Sequence, residues 1–209
     1  MMEKYINLIE SNIYEGNPAI DGWCTTEKAK ALFNLVAETN PDLVVEVGIF
    51  GGKSLLPLAW GCQFNQKGKV IGIDPWCAPA ALEGSNSTEN DKWWATIDYP
   101  SIYSRFVQNV IKHGLLEYTY WYRDYSKNVV GMFADGSIDI FHCDGNHSEE
   151  VTMQEIEMYF PKLRTGGYWV ADDIAWGSLG KAVEFLRNNC DIVSEVNENG
   201  NSWGIYRKK

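Results

Sequence analysis

Short apolar runs ending in glycine or an acid alternate along this chain with stretches whose apolar positions recur every three to four residues. The first pattern predicts strands buried on both faces, and the second predicts amphipathic helices. The strand runs are DLVVEVG (42–48), KVIGID (69–74), YTYWYRD (118–124), SIDIFHCD (137–144) and GGYWVADD (166–173). After the first of them, KSLLPLAWGC reads as a helix that tolerates Pro57 near its start. SEEVTMQEIEMYFPKL has Ser148 at a capping position, acids in its first turn and apolar residues at 151, 153, 156, 159, 160 and 163. SLGKAVEFLRNN follows the fifth run as a further helix. This alternation predicts an α/β fold with parallel strands.

Two segments break it. Residues 77–100 are rich in Ala, Gly, Ser, Asn, Asp and Trp, too long and polar for a routine connection, and are expected to form a lid or substrate-binding insertion. At the C-terminus, DIVSEV and SWGIYRK flank an Asn/Gly turn, which signals a hairpin in place of another crossover. Residues 1–40 read as an N-terminal helical segment, and the whole of 1–209 as one domain.

Composition narrows the partner. A net charge of −10 with scattered Lys and Arg offers no basic stripe for a phosphate backbone, so no nucleic acid is expected and a small molecule is. The five cysteines, at 24, 62, 77, 143 and 190, include no C-x-x-C pair, which points away from a zinc ribbon or disulfide framework and towards a reducing cytoplasm. No run approaches the ~20 apolar residues that span a bilayer, so a soluble protein with no membrane partner is expected. Homo-oligomerisation stays open.

The turn EVGIFGGKS (46–54) joins a strand to a helix through glycines, the device that brings backbone N–H groups to an anionic ligand. It is one residue short of a P-loop, and Phe50 stands where a dinucleotide fingerprint needs its second glycine. S-adenosylmethionine remains, with one carboxylate and a free amine that Glu46 could meet; Gly48, Phe50, Gly51 and Ser54 would shape its turn. Asp74 ends the next strand 26 residues after Gly48, near the ~20-residue offset at which an acid meets ribose hydroxyls. FHCDGNHSEE brings Cys143, Asp144 and His147 together, and VADDIAW adds Asp172 and Asp173. His142 and Cys143 read as packed strand residues, because zinc would need further Cys or His partners. His147, just past Asp144, is a candidate general base, with a role at the start of the next helix as the alternative.

VVEVGIFGGKS, VIGIDPW, IDIFHCDGNHS and LRTGGYWVADDI, in this order from about residue 42 to 175, resemble class I S-adenosylmethionine-dependent methyltransferases. The closest likeness is to metal-dependent O-methyltransferases of the catechol and macrocin types. The resemblance implies a Rossmann-like, seven-stranded, mostly parallel sheet with helices on both faces, in which the terminal hairpin looks like the reversed sixth and seventh strands. It implies Mg²⁺, with Ca²⁺ a possible substitute, on Asp144, Asp172 and Asp173, and the adenine neighbourhood at Asp124 and Ser126. Asp144 then serves catalysis, cofactor and metal at once. Elementary chemistry agrees about the ion: three crowded carboxylates repel unless a cation binds, and oxygen ligands select a hard one. Strand-end acids that merely cap turns are the alternative. Trp76, Trp93, Trp94 and Trp176 cluster near the same loops, as stacking partners for adenine or an acceptor ring; Trp76 is assigned to the cofactor. The function expected is magnesium-assisted, in-line methyl transfer to a hydroxyl of a sugar, phenol or natural-product diol. A metal-independent methyltransferase and a non-catalytic S-adenosylmethionine-binding protein are the alternatives. Catechol-type enzymes use a Lys near the metal as base, and sequence assigns no such lysine here.

Overall fold

The computed structural model describes residues 1–14, 16–198 and 200–209. Its strands are β1 (Leu43–Val47), β2 (Lys69–Ile73), β3 (Thr119–Tyr122), β4 (Ile138–Cys143), β5 (Leu163–Asp172), β6 (Cys190–Glu198) and β7 (Asn201–Lys208), joined in one sheet of order β3-β2-β1-β4-β5-β7-β6. β1 to β5 pair in parallel, and β7 runs against both β5 and β6. The C-terminal hairpin is antiparallel as expected: β7 is reversed against β5, and β6 lies beyond it at the sheet edge, running in the direction of the first five. Asn199 of the expected Asn/Gly turn lies outside the described residues.

Successive strand residues face opposite layers, as the period of two requires. Val44, Val70, Ile140, Val170 and Ile205 bury one face under α1 (Met2–Asn12), α2 (Thr26–Thr39), α3 (Leu55–Asn65) and α6 (Tyr99–Lys112). Val45, Phe141, Trp169 and Tyr206 bury the other under α8 (Glu149–Tyr159) and α9 (Gly180–Asn189). α3 is buried at every residue from Leu55 to Cys62, because it is covered by the sheet on one side and by α2 on the other. Ser148 caps α8 as expected, accepting the Val151 N–H.

The segment 77–100 contains two short helices, α4 (Ala78–Ala81) and α5 (Thr88–Trp94). A third helix, α6, begins inside it and was not predicted from the pattern. Its signals were Asp98, which accepts the Ser101 N–H, Pro100 in the first turn, and buried residues at 99, 102, 106 and 110. Near the C-terminal edge, α7 (Ser126–Val129) follows β3. Among the described residues, no helix is long and apolar enough to cross a membrane.

α2 is held by a stripe of Leu32, Phe33 and Val36, with Phe33 fully buried and stacked on Tyr5 at 5.5 Å. Phe33→Ala is expected to lower stability by about 3–5 kcal/mol, measured as a shift of the urea midpoint at constant slope. A loss below ~1 kcal/mol would show that α2 is not anchored by this stripe.

Candidate functional site

Strand order reverses between β1 and β4, which opens a crevice at the carboxyl edge of the sheet. A cavity of about 620 Å³ lies there, bordered by the turns after β1, β2, β4 and β5. Its walls are completed by Gly22 to Thr25 and by parts of α4 and α5.

The turn after β1 is set by contacts that leave no room for side chains. Gly48 has φ of 90°, and a Cβ there would lie 2.0 Å from the Asp144 carbonyl oxygen. Glycine is required before any ligand is considered, because the first and fourth turns press together. A Cβ on Gly51 would meet the Asp21 carbonyl at 2.4 Å. Phe50 is left-handed, with φ of 47°, and donates its N–H to Asp74 Oδ2 at 2.8 Å. The Trp76 N–H donates to Asp74 Oδ1 at 2.7 Å. Asp74 thus ties two turns together; burial raises its carboxyl and these backbone donors oppose the rise.

Trp76 does not border the cavity. It is 2% exposed, stacks on Phe106 at 5.5 Å and donates its indole N–H to the Phe50 carbonyl at 2.8 Å, so it supports the turn from the core. Lys53, which a P-loop would aim at phosphate, donates to the Gly22 carbonyl at 3.0 Å. Glu46 is fully buried beneath the turn. It accepts from the Ser54 hydroxyl and from His142 Nδ1 at 2.8 Å, while its Oε2 has no hydrogen-bond partner. Burial and Lys28 lower the His142 pKa, so the ring is neutral and donates to Glu46. Asp124 is exposed, accepts from the Tyr125 N–H and the Asn128 amide, and does not border the cavity. Ser126 does border it, donating to Glu155 Oε1 at 3.2 Å.

Of the three acids expected at one ion, Asp144 and Asp172 come together, around a cation that sequence did not assign, while Asp173 is not part of the group whose ligand atoms lie together. Lys28, 3% exposed on α2, puts its Nζ 2.8 Å from Asp172 Oδ1 and 3.3 Å from Asp144 Oδ2. Against the burial that would raise it, this ammonium holds the Asp172 carboxyl far below its usual range. Burial and the Asp172 charge push Asp144 well above that range. The Lys28 pKa is raised, its two acids outweighing desolvation, so it is a fixed positive charge and not a base. Asp173, with φ of 49°, sits 3.5 Å from His147 Nε2; burial and Asp172 push it up to about 7. Burial lowers His147, leaving a neutral imidazole 5.3 Å from the Trp176 ring.

Among the described residues, ligand atoms of Asp144, His147 and Asp172 lie within 4.8 Å of one another. Carboxylates suit magnesium in kind. As the side chains stand they do not fit a divalent ion, because the Lys28 ammonium lies against one oxygen of Asp144 and one of Asp172, and an ion on these acids would share a buried site with that positive charge.

Sequence patterning also missed Trp23, whose ring stacks on Phe50 at 5.3 Å and meets Trp93 and Trp94 edge-on at 5.1 and 5.8 Å. Trp23 is 61% exposed and Trp93 43%, an aromatic rim at the cavity mouth. Glu155 was missed as well. It is 3% exposed, accepts from the Cys143 thiol and Ser126 at 3.2 Å each, and is pushed up to about 7 by burial.

That shift gives a signed pH test. Between the ~4.3 of an unfolded glutamate and 7, the native state keeps a proton that the unfolded chain has lost, so this group's stabilisation is complete at acid pH and declines as pH rises. Stability of the protein relative to Glu155→Gln should fall by up to about 3 kcal/mol across that window, measured by urea unfolding at a series of pH values. A difference that grows with pH would contradict the protonated, buried carboxyl.

Comparison with known proteins agrees with this architecture. A family described as methyltransferase domain matches residues 45–174, which include the turns after β1, β2 and β4 and the Asp172-Asp173 pair that ends β5. An uncharacterized protein of Acanthamoeba polyphaga mimivirus is 30% identical over 130 residues, 62% of this chain and 50% of that protein, so the chain spans about half the length of the curated relative it matches. Among solved structures, the O-methyltransferase NovP superposes with a TM-score of 0.75 at 14% identity over 100% of both chains. TomG, an O-methyltransferase of Streptomyces achromogenes solved with S-adenosylmethionine, gives 0.65 at 12% identity over 100% of this chain and 89% of that one. The chain belongs to the methyltransferase-domain family and has the fold of the class I S-adenosylmethionine-dependent methyltransferases.

Proposed function

We propose that this protein is an S-adenosylmethionine-dependent O-methyltransferase that acts on a hydroxyl of a small molecule. The observation that carries this is the joining, in one cavity, of the Gly48–Phe50 turn and Asp74 with Asp144, Asp172 and His147. The Asp74 carboxyl accepts backbone N–H groups of Phe50 and Trp76, with Ile49 a third donor, and keeps lone-pair capacity for a ribose hydroxyl. Glu46 is fully buried and does not border the cavity; its carboxyl lies behind the cavity-lining Ser54, whose hydroxyl it holds, and through Ser54 it favours a cationic amine on that side. S-adenosylmethionine, when bound, supplies an already activated methyl group.

The chain's own work is then positioning and proton removal. His147, neutral and at the cavity, accepts the proton as the acceptor oxygen takes the methyl group. Trp23, Trp93 and Trp94 on one side and Trp176 beside His147 form apolar walls that suit a ring-shaped acceptor such as a phenol or sugar. The oxygen specificity is supported by the fold shared with NovP and TomG. A second reading, magnesium-assisted transfer, would draw on Asp144, His147 and Asp172, whose ligand atoms lie together, but it has to displace the Lys28 ammonium from two of them. Five free cysteines support a reducing, cytoplasmic setting.

Calorimetry with S-adenosylmethionine and S-adenosylhomocysteine should give binding, and Asp74→Ala should weaken both by about 1–3 kcal/mol as ribose hydroxyls lose a charged acceptor. Equal affinity in the folded variant would remove Asp74 from the ribose. With labelled S-adenosylmethionine and a panel of phenols, catechols and sugars, label should enter a base-stable ether. His147→Ala should lower that turnover by about 10²- to 10⁴-fold. Unchanged turnover would reduce His147 to a wall of the cavity, and binding without transfer to any acceptor would leave a non-catalytic binder.

A further inference from the structure

Lys28 has no role in the chemistry expected from the strand-end motifs, and its placement runs against local preference twice. It lies in the first turn of α2, where Thr25 accepts its N–H, and a cation there opposes the positive end of the helix dipole. It also falls on the buried stripe with Leu32, Leu35 and Val36, where an apolar residue would pack at no electrostatic cost. Burying an ammonium costs several kcal/mol unless its charge is met. Here it is met by one oxygen from the end of β4 and one from the end of β5.

We propose that Lys28 is the built-in cation of this site: its ammonium stands where a divalent ion would bridge Asp144 and Asp172, and methyl transfer proceeds without a metal. The inference rests on the O-methyltransferase reading and deepens it. Three features support it together. The ammonium touches both carboxylates that an ion would bridge. It is 3% exposed, fixed by the packing of α2, and borders the cavity. His142 Nε2, on the fully buried side, lies 3.9 Å from Asp144 Oδ2, so the oxygen that meets Lys28 is flanked by a second group of the chain, while the Asp144 side chain stays part-exposed to the cavity. From this position Lys28 holds the strand ends at fixed separation and presents positive charge to an acceptor oxygen as it loses its proton to His147.

The test is a metal titration with Mn²⁺ as a paramagnetic probe of a hard-ion site, alongside thermal unfolding in chelator and in excess Mg²⁺. The proteins are the unaltered chain, Lys28→Ala, which leaves room for an ion, and Lys28→Gln, which keeps most of the stem. The unaltered protein should bind no stoichiometric Mn²⁺ and unfold at the same temperature in both buffers. Lys28→Ala should unfold at a lower temperature, take up one Mn²⁺ and regain several degrees with Mg²⁺; Lys28→Gln should follow if the alanine protein does not fold. One tightly bound Mn²⁺ in the unaltered protein overturns the proposal, and so does a folded variant that gains no metal. S-adenosylhomocysteine affinity measured on the same samples separates the two levels. Its loss alone refutes the methyltransferase reading, whereas metal uptake by the unaltered protein with that affinity intact refutes only the role of Lys28.

Discussion

An ammonium held between two carboxylates, almost out of water, fixes the geometry on which the rest of the site depends. Lys28 comes from α2, before the first strand, and meets acids that end β4 and β5. Neither partner can be removed cheaply, since a lone buried charge costs about 3–5 kcal/mol. The pair does not hold the N-terminal helices in place by itself. That is done by the apolar stripe of Leu32, Phe33 and Val36, so hydrophobic packing delivers the lysine and the acids give it a reason to be there.

A second constraint lies one strand away. Gly48 and Asp144 approach so closely that a single methyl group would not fit, and Asp74 takes backbone N–H groups from two different turns. The carboxyl edge of the sheet is therefore a set of turns bonded to one another. Polar groups left over after that bonding, the free lone pairs of Asp74 and the unpartnered Glu46 Oε2, face the question of a ligand. Such leftovers are costly in a fold without function and expected in one that binds a polar small molecule.

The sheet was legible because parallel strands covered on both faces read as continuous apolar runs, and five of them appear with their terminating residues in the sequence. Strand ends could be located, and with them Gly48, Asp74, Asp144, Asp172 and His147. Direction of side chains could not. Trp76 and Asp124 also follow strand ends, yet one turns into the core against Phe106 and the other caps a surface turn. β6 and β7 were seen as a hairpin, but which of them opposes the sheet is a matter of pairing with β5 that local pattern does not encode. Lys28 lies 116 residues from Asp144. Its signal, a lysine on the apolar stripe of a helix, is visible in hindsight and has no meaning until the fold brings the acids to it.

A crystal structure grown with S-adenosylhomocysteine and soaked in MnCl₂ tests the central claim most directly, since anomalous scattering would locate any metal. The expected result places the ribose hydroxyls on Asp74, the amine towards Glu46, and the Lys28 ammonium between Asp144 and Asp172 with no anomalous peak. A nucleoside bound away from Asp74, or a manganese ion bridging Asp144 and Asp172 with Lys28 swung aside, would contradict it.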